Sequence, residues 1–176
     1  MVVAFDNTVL SLLLHPEADP PVDPTTSAPV DRAQDRMAYL VEQLRESGAR
    51  ILIPAPVLAE FLTFAGPDYL AVIDQSAHFE VAPFDQRAAI EAAAVQKKAN
   101  ASAKGKKSGL AGKWQTIKVD RQIVAIAKVR NAERIYTSDH DVAELAKESG
   151  ITAVGLTDLP LPPAEETKLP FDGGPA

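Results

Sequence analysis

Four carboxylates in this 176-residue chain, Asp6, Glu60, Asp120 and Asp139, stand where an acid needs an explanation. Asp6 ends the β-branched apolar run Val2-Val3-Ala4-Phe5, and Asp139 lies two residues beyond the run Arg134-Ile135-Tyr136-Thr137. If both runs are buried parallel strands, both acids arrive at the carboxyl-terminal edge of one sheet, where open α/β sheets bind ligands. Glu60 shares a helical face with Val57 and Phe64, and Asp120 with Ile123, Val124 and Ala127, so each extends an apolar stripe. A carboxylate placed against the core is costly unless paired, and a cation is one of the few partners that removes the cost. Carboxylates with no cysteine and no paired histidines form an all-oxygen site, which suits Mg²⁺ or Mn²⁺ rather than zinc.

Each acid also has a purely structural reading. Asp6 can cap the helix that follows it. Asp120 can favour a helix N-terminus through the macrodipole, and Glu60 can belong to a partly buried ion pair. In Ser138-Asp139-His140-Asp141, Ser138 and Asp141 match a capping box, which explains Asp141 better than Asp139. Those readings would have to hold independently at four positions that one topology gathers to one edge, so the joint metal reading is the stronger.

The elements that must position these acids alternate along the chain. After the strand at 2–5, helical spacing resumes from Asn7 to Leu14. Residues 16–31 hold five prolines among small polar residues and read as an exposed loop beginning at about 15. Met37, Leu40, Val41 and Leu44 share one face of a helix from Asp31 to Ser47 that Gly48 is placed to cap. A strand at 51–53 precedes helices at 55–65 and 68–76, a strand at 79–83 and an Ala-rich helix from Asp85 to about 101. Residues 102–117, with three glycines, read as a loop before a helix at 119–132 that Asp120 would open. A strand at 134–137, a helix at 141–149 stopped by Gly150 and a strand at 152–155 complete the pattern. The expectation is a three-layer α/β/α domain over residues 1–158, with a central, mainly parallel sheet of about five strands. Residues 159–176, with five more prolines, read as an extended or disordered tail.

The chain has no cysteine, which excludes disulfides, thiolate metal sites and cysteine nucleophiles. No basic leader opens it and no apolar run approaches the roughly 18 residues of a membrane span, so a cytoplasmic location is expected. A net charge of −6 argues against a general basic coat for nucleic acid. Between Glu91 and Asp120, however, there are seven lysines and no acid. Lys104, Lys106, Lys107, Lys113 and Lys118 form either a phosphate-tracking arm, with Trp114 to stack on a base, or a solvated surface. Of the 3 histidines, none pairs as a zinc helix would; His140, between two acids, has a place either beside substrate or on the surface.

The segments VVAFDNTVLSLLL, IPAPVLAEFL, VAPFDQRAAIEAAA and VDRQIVAIAKVRNAERIYTSDHDVAELA together resemble the PIN-domain nucleases, most closely the VapC-type toxins of bacterial toxin–antitoxin pairs. The resemblance spans nearly the whole chain in family order. It implies that Asp6, Glu60, Asp120 and Asp139 are the family's four acids, that Thr137 and Ser138 are the hydroxyl residues beside the last, and that Asp141 is auxiliary. Where the family commonly shows Asp-x-Asn or Asp-x-Ser, this chain has Asp6-Asn7-Thr8, so Thr8 keeps a hydroxyl at the second polar position. The chain is longer than the usual toxin. The activity implied is Mg²⁺- or Mn²⁺-dependent hydrolysis of RNA, and the partners implied are an antitoxin protein and a second copy of the chain. Two other readings stay open: a PIN-fold module that binds RNA or protein without cutting, and a phosphohydrolase of another α/β family.

Overall fold

Strands and helices alternate as the apolar runs predict. A computed structural model describes residues 1–163 except 16, 24 and 103–110, with backbone alone for 98–102 and 111–117. The strands are β1 (Val2–Phe5), β2 (Arg50–Pro54), β3 (Phe79–Ala82), β4 (Arg134–Tyr136) and β5 (Thr152–Val154). Between β1 and β2 run α1 (Asn7–Leu14) and α2 (Ala33–Glu46); between β2 and β3, α3 (Ala55–Ala65) and α4 (Tyr69–Gln75). Next come α5 (Gln86–Ser102), α6 (Ala111–Val129) and, after β4, α7 (His140–Glu148), with a 3-10 turn at Leu156–Asp158.

All five strands are parallel, in the order β3-β2-β1-β4-β5. The chain thus steps outward from β1 to β2 and β3, then returns to place β4 on the other side of β1. The reversal opens a crevice beyond the carboxyl ends of β1 and β4, the usual ligand position in such sheets. Successive residues of β1 enter different cores, as strand geometry requires. Ala4 packs with Val57 and Phe61 of α3, Ile123 and Ile126 of α6, and Val142 of α7. Val3 and Phe5 pack with Met37, Leu40 and Leu44 of α2 and with Leu156 and Leu159. Helices therefore cover both faces. Gly48 and Gly150 take left-handed φ values of 63° and 82°, and each stops its helix as the sequence predicts.

One expected loop is helix. Residues 111–118 belong to α6 rather than to a segment running to 117, so Asp120 lies in the middle of a helix and does not open one. Three glycines suggested a loop, but Gly112 falls in the first turn, where a glycine costs least. The residues that follow are ordinary helix formers, and α5 packs along α6, supplying tertiary support that periodicity does not reveal. Lys104, Lys106 and Lys107 lie outside the described residues, as does the tail from 164. Leu159 is buried and held to α2 through Arg36, whose Nη1 donates to its carbonyl.

Core truncation separates the two environments. Leu52→Ala, at a fully buried position of β2, is expected to cost about 2–5 kcal/mol in urea denaturation. Phe64→Ser, at a position 81% exposed on α3, should change stability by less than about 0.5 kcal/mol.

Candidate active site

Asp6 follows β1 directly, and its amide extends the ladder by donating to the Tyr136 carbonyl of β4 at 3.1 Å. Its side chain is buried and both oxygens are engaged. Oδ1 caps α1 by accepting from the Val9 amide at 2.8 Å, so the capping reading and the site reading hold together. Oδ2 accepts from the Thr137 hydroxyl and from the Ser138 amide at 3.2 Å. The same Thr137 hydroxyl accepts from the Asp139 amide at 3.0 Å. One buried hydroxyl thereby ties the acid after β1 to the acid after β4.

Asp139 is the N-cap of α7, its Oδ1 accepting from Asp141 at 2.7 Å and Val142 at 3.1 Å. The capping box expected from Ser138 and Asp141 is not formed; the turn places Asp139 itself at the cap. Asp120 is buried, with Ile123, Val124 and Ala127 buried beneath it on α6, as its stripe predicts. Its Oδ2 has no hydrogen-bond partner among the described residues. Glu60 departs from expectation. It is exposed, and Phe64, its supposed apolar neighbour, projects from the same solvent-facing side of α3. Val57 and Phe61 are the fully buried residues of that helix, with Leu58, Leu62 and Ala65 packed against the same core.

Asp6, Glu60, Asp120 and Asp139 nevertheless line one cavity of ≈ 540 Å³ with Asn7 and Thr8. The electrostatics record their proximity. Burial, reinforced by the charges of Asp139, Asp141 and Glu60, pushes the Asp120 carboxyl up to about 6. Burial likewise raises Asp6 to about 6, against the lowering effect of its bonds from Thr137, Val9 and Ser138. Excess negative charge with little compensation is what a cation would relieve.

Thr8 is half-buried and lines the cavity; Thr137, buried, and Ser138, half-buried, do not line it and reach it through their bonds to Asp6. Asp141 is exposed and does not line the cavity, reaching it only through its charge on Asp120. Lys118 is exposed on α6 and absent from the lining, two residues from Asp120 and so on another face of the helix. Lys113 and Trp114 lie in the first turns of α6, where only the backbone is described. Sequence reasoning did not single out Asn7 as lining the cavity; its place directly after Asp6 was the available signal.

A doubly wound sheet with acids at its switch point defines an α/β protein with a candidate metal-dependent site. The PIN domain model matches residues 27–148, and the chain belongs to the PIN domain family. Among solved structures, the chain is similar to VapBC2 from Rickettsia felis bound to a DNA fragment from its promoter. That match has a TM-score of 0.57 at 14% identity, over 88% of this chain and 98% of the other. A second similar structure is DNA-bound VapBC from Salmonella typhimurium, with a TM-score of 0.54 at 16% identity, over 89% and 98%. No curated protein matches the sequence.

The Thr137 bridge and the raised carboxyls each generate a test. Thr137→Val, which keeps the shape but removes the hydroxyl, is expected to cost about 1–3 kcal/mol in denaturant unfolding, and Thr137→Ser to retain most of it. Asp6 and Asp120 hold their protons more tightly folded than unfolded. Their contribution to stability is therefore present below the unfolded value of 3.8 and lost as pH rises through about 6. In chelator, Asp120→Asn should stabilise the protein by on the order of 2 kcal/mol near pH 7 and by almost nothing near pH 4. Melting curves giving the same difference at both pH values would refute this account.

Proposed function

We propose that this chain is an Mg²⁺- or Mn²⁺-dependent endoribonuclease and the toxin of a toxin–antitoxin pair. The observation that carries the reading is the buried, unpartnered Asp120 Oδ2 in a cavity that Asp6, Glu60 and Asp139 also line. Membership of the PIN family supports it, and so does the sequence resemblance to VapC-type toxins. The two similar structures, both VapBC complexes, support an antitoxin as partner. A second copy of the chain and a cytoplasmic location complete the reading.

The donor set fits a hard cation, since the cavity offers carboxylate oxygens and the chain has no thiol. Among the described residues no three acidic or histidine side chains are arranged to hold an ion as they stand. Glu60 is exposed and makes no hydrogen bond among the described residues, so it can turn inward, while Asp139, held at its cap through Oδ1 alone, has Oδ2 uncommitted and Asp6 and Asp120 stay fixed. When bound, the ion supplies charge neutralisation for the phosphate and leaving oxygen and acidifies a water for in-line attack.

Each residue then has a task. Asp6 and Asp120 present fixed, dehydrated oxygens; Asp139 offers its free Oδ2; Glu60, at the solvent side, orients the attacking water. Thr137 and the Ser138 amide hold Asp6 in one orientation, Thr8 offers a hydroxyl at the mouth, and Asp141 adds charge. Lys104, Lys106, Lys107, Lys113 and Lys118, with Trp114, serve as the strand-tracking arm leading into the Asp120 helix.

Purified protein should cleave a mixed structured RNA with Mg²⁺ or Mn²⁺ and stop on adding EDTA. Asp6→Asn and Asp120→Asn should each lower kcat by about 100-fold or more, the scale of losing an electrostatic group at a reacting centre. If the wild type cuts nothing while calorimetry shows Mn²⁺ binding that Asp6→Asn abolishes, the substrate is wrong. Absence of both cleavage and Mn²⁺ binding would instead favour a non-cutting binding module.

A further inference from the structure

Beyond the acidic cavity lies a second one of ≈ 250 Å³, and Asp139 lines both. One wall comes from the Pro-rich segment, through Val22 and Val30, and the opposite wall from the turn after β5, through Gly155, Leu156 and Thr157. The floor is the Thr137–His140 turn, with Ala143 of α7 beside it. We propose that this cavity holds one unpaired nucleoside of the RNA, next to the bond that is cut. The proposal rests on the nuclease reading above and names which part of the substrate is read.

Size argues first. The cavity falls below the roughly 300–1,000 Å³ of pockets that enclose a drug-sized ligand, which leaves room for a single base rather than a base pair. Its surfaces argue next. Exposed Val22 and half-buried Ala143 offer apolar surface against which a base can lie, backed by the buried Val30 and Leu156. Ser138 and Thr157 add hydroxyls that make no hydrogen bond within the described residues, free to meet the edge of a base. Sequence-selective RNA recognition works in this way on unstacked bases. A bare phosphate is disfavoured, because Asp139 and Asp158 also line the cavity. Lys147 lines it too, and its pair with Glu144 at 2.9 Å is exposed on both sides, hence weak; with His140 it can serve the phosphate that follows the base.

The walls are held in place before any ligand arrives. Val22 bridges to Pro29, and the Val30 amide donates to the Pro21 carbonyl at 2.9 Å. Arg36 joins the two walls, its Nε donating to the Asp31 carbonyl at 3.0 Å and its Nη1 to the carbonyls of Thr157, at 3.4 Å, and Leu159. The turn after β5 is closed by the Gly155 amide, which donates to Asp158 Oδ2 at 3.1 Å. A preformed cleft binds without the cost of ordering a loop. The Pro-rich segment thus has a task that its composition alone did not disclose.

The test is an amide NMR titration of the full chain in EDTA with AMP, CMP, GMP, UMP and inorganic phosphate in turn. At least one nucleotide should shift Ala143, Ala153 and Thr157 together, with Kd in roughly the millimolar range, while phosphate alone should not. Thr157→Phe should weaken that binding by about tenfold or more, the scale of losing one base contact; Ala143→Leu serves equally if the first variant disturbs the fold. The inference is overturned if no nucleotide shifts these amides, if phosphate reproduces the shifts, or if they are confined to the acidic cavity. Nucleotide binding here without any RNA cleavage would sink the nuclease reading and leave the subsite standing. Cleavage with no nucleotide bound here would do the reverse.

Discussion

The structure turns on one buried carboxylate whose two oxygens do different work. Asp6 Oδ1 starts α1, while Oδ2 receives the Thr137 hydroxyl and the Ser138 amide across the β1–β4 junction. Burying a charge in this way is tolerable because its hydrogen bonds replace most of what water supplied. The residual cost shows in its raised pKa of about 6. A cap, a strand junction and an acidic cavity therefore share one side chain, which is why the choice between a structural and a chemical Asp6 is a false one.

That junction exists because β1 lies in the middle of the sheet. With β2 on one side and β4 on the other, the carboxyl end of β1 is the point where helices on the two flanks diverge. α3 and α6 bring Glu60 and Asp120 to it from one face, and the turn after β4 brings Asp139. No single element could assemble these acids; they are separated by 54, 60 and 19 positions in the chain. Burial, with the repulsion of Asp139, Asp141 and Glu60, raises Asp120, so the site carries an electrostatic load that a cation would relieve.

Much of this was legible in the sequence, for identifiable reasons. Short apolar runs ending in acids located β1 and β4 and the edge they share, and the i+3, i+4, i+7 neighbours of Asp120 described its burial correctly. The errors arise where one local signal stood for two structures. Glycines at 105, 109 and 112 read as a loop, although the last tolerates the first turn of α6. Phe64 read as core because it is apolar at the right spacing, although α3 turns Val57, Phe61 and, in part, Leu58, Leu62 and Ala65 to the core and leaves Phe64 outside; exposed apolar residues are common enough that type alone does not settle burial. Asp139 and Ser138 competed for one cap, and the Thr137 hydroxyl, invisible in any helix-capping pattern, decided between them by fixing the Asp139 amide.

The turn from Thr137 to His140 has consequences beyond that cap. Because Asp139 borders both cavities and is anchored through Oδ1 to the first turn of α7, the distance between the acids and the second cavity is set by backbone. A chain bound in the second cavity meets the acids at a fixed offset, so selection of a base and selection of a bond become one geometric event. The Pro-rich wall fits this logic. Prolines narrow the conformations open to the unfolded segment, and the Arg36 bonds tie its far end to the turn after β5. Specificity would then reside in the walls, which can vary in sequence without disturbing the acids, while the proposed chemistry would reside at a junction where both oxygens of Asp6 are already committed and Asp120 Oδ2 is not.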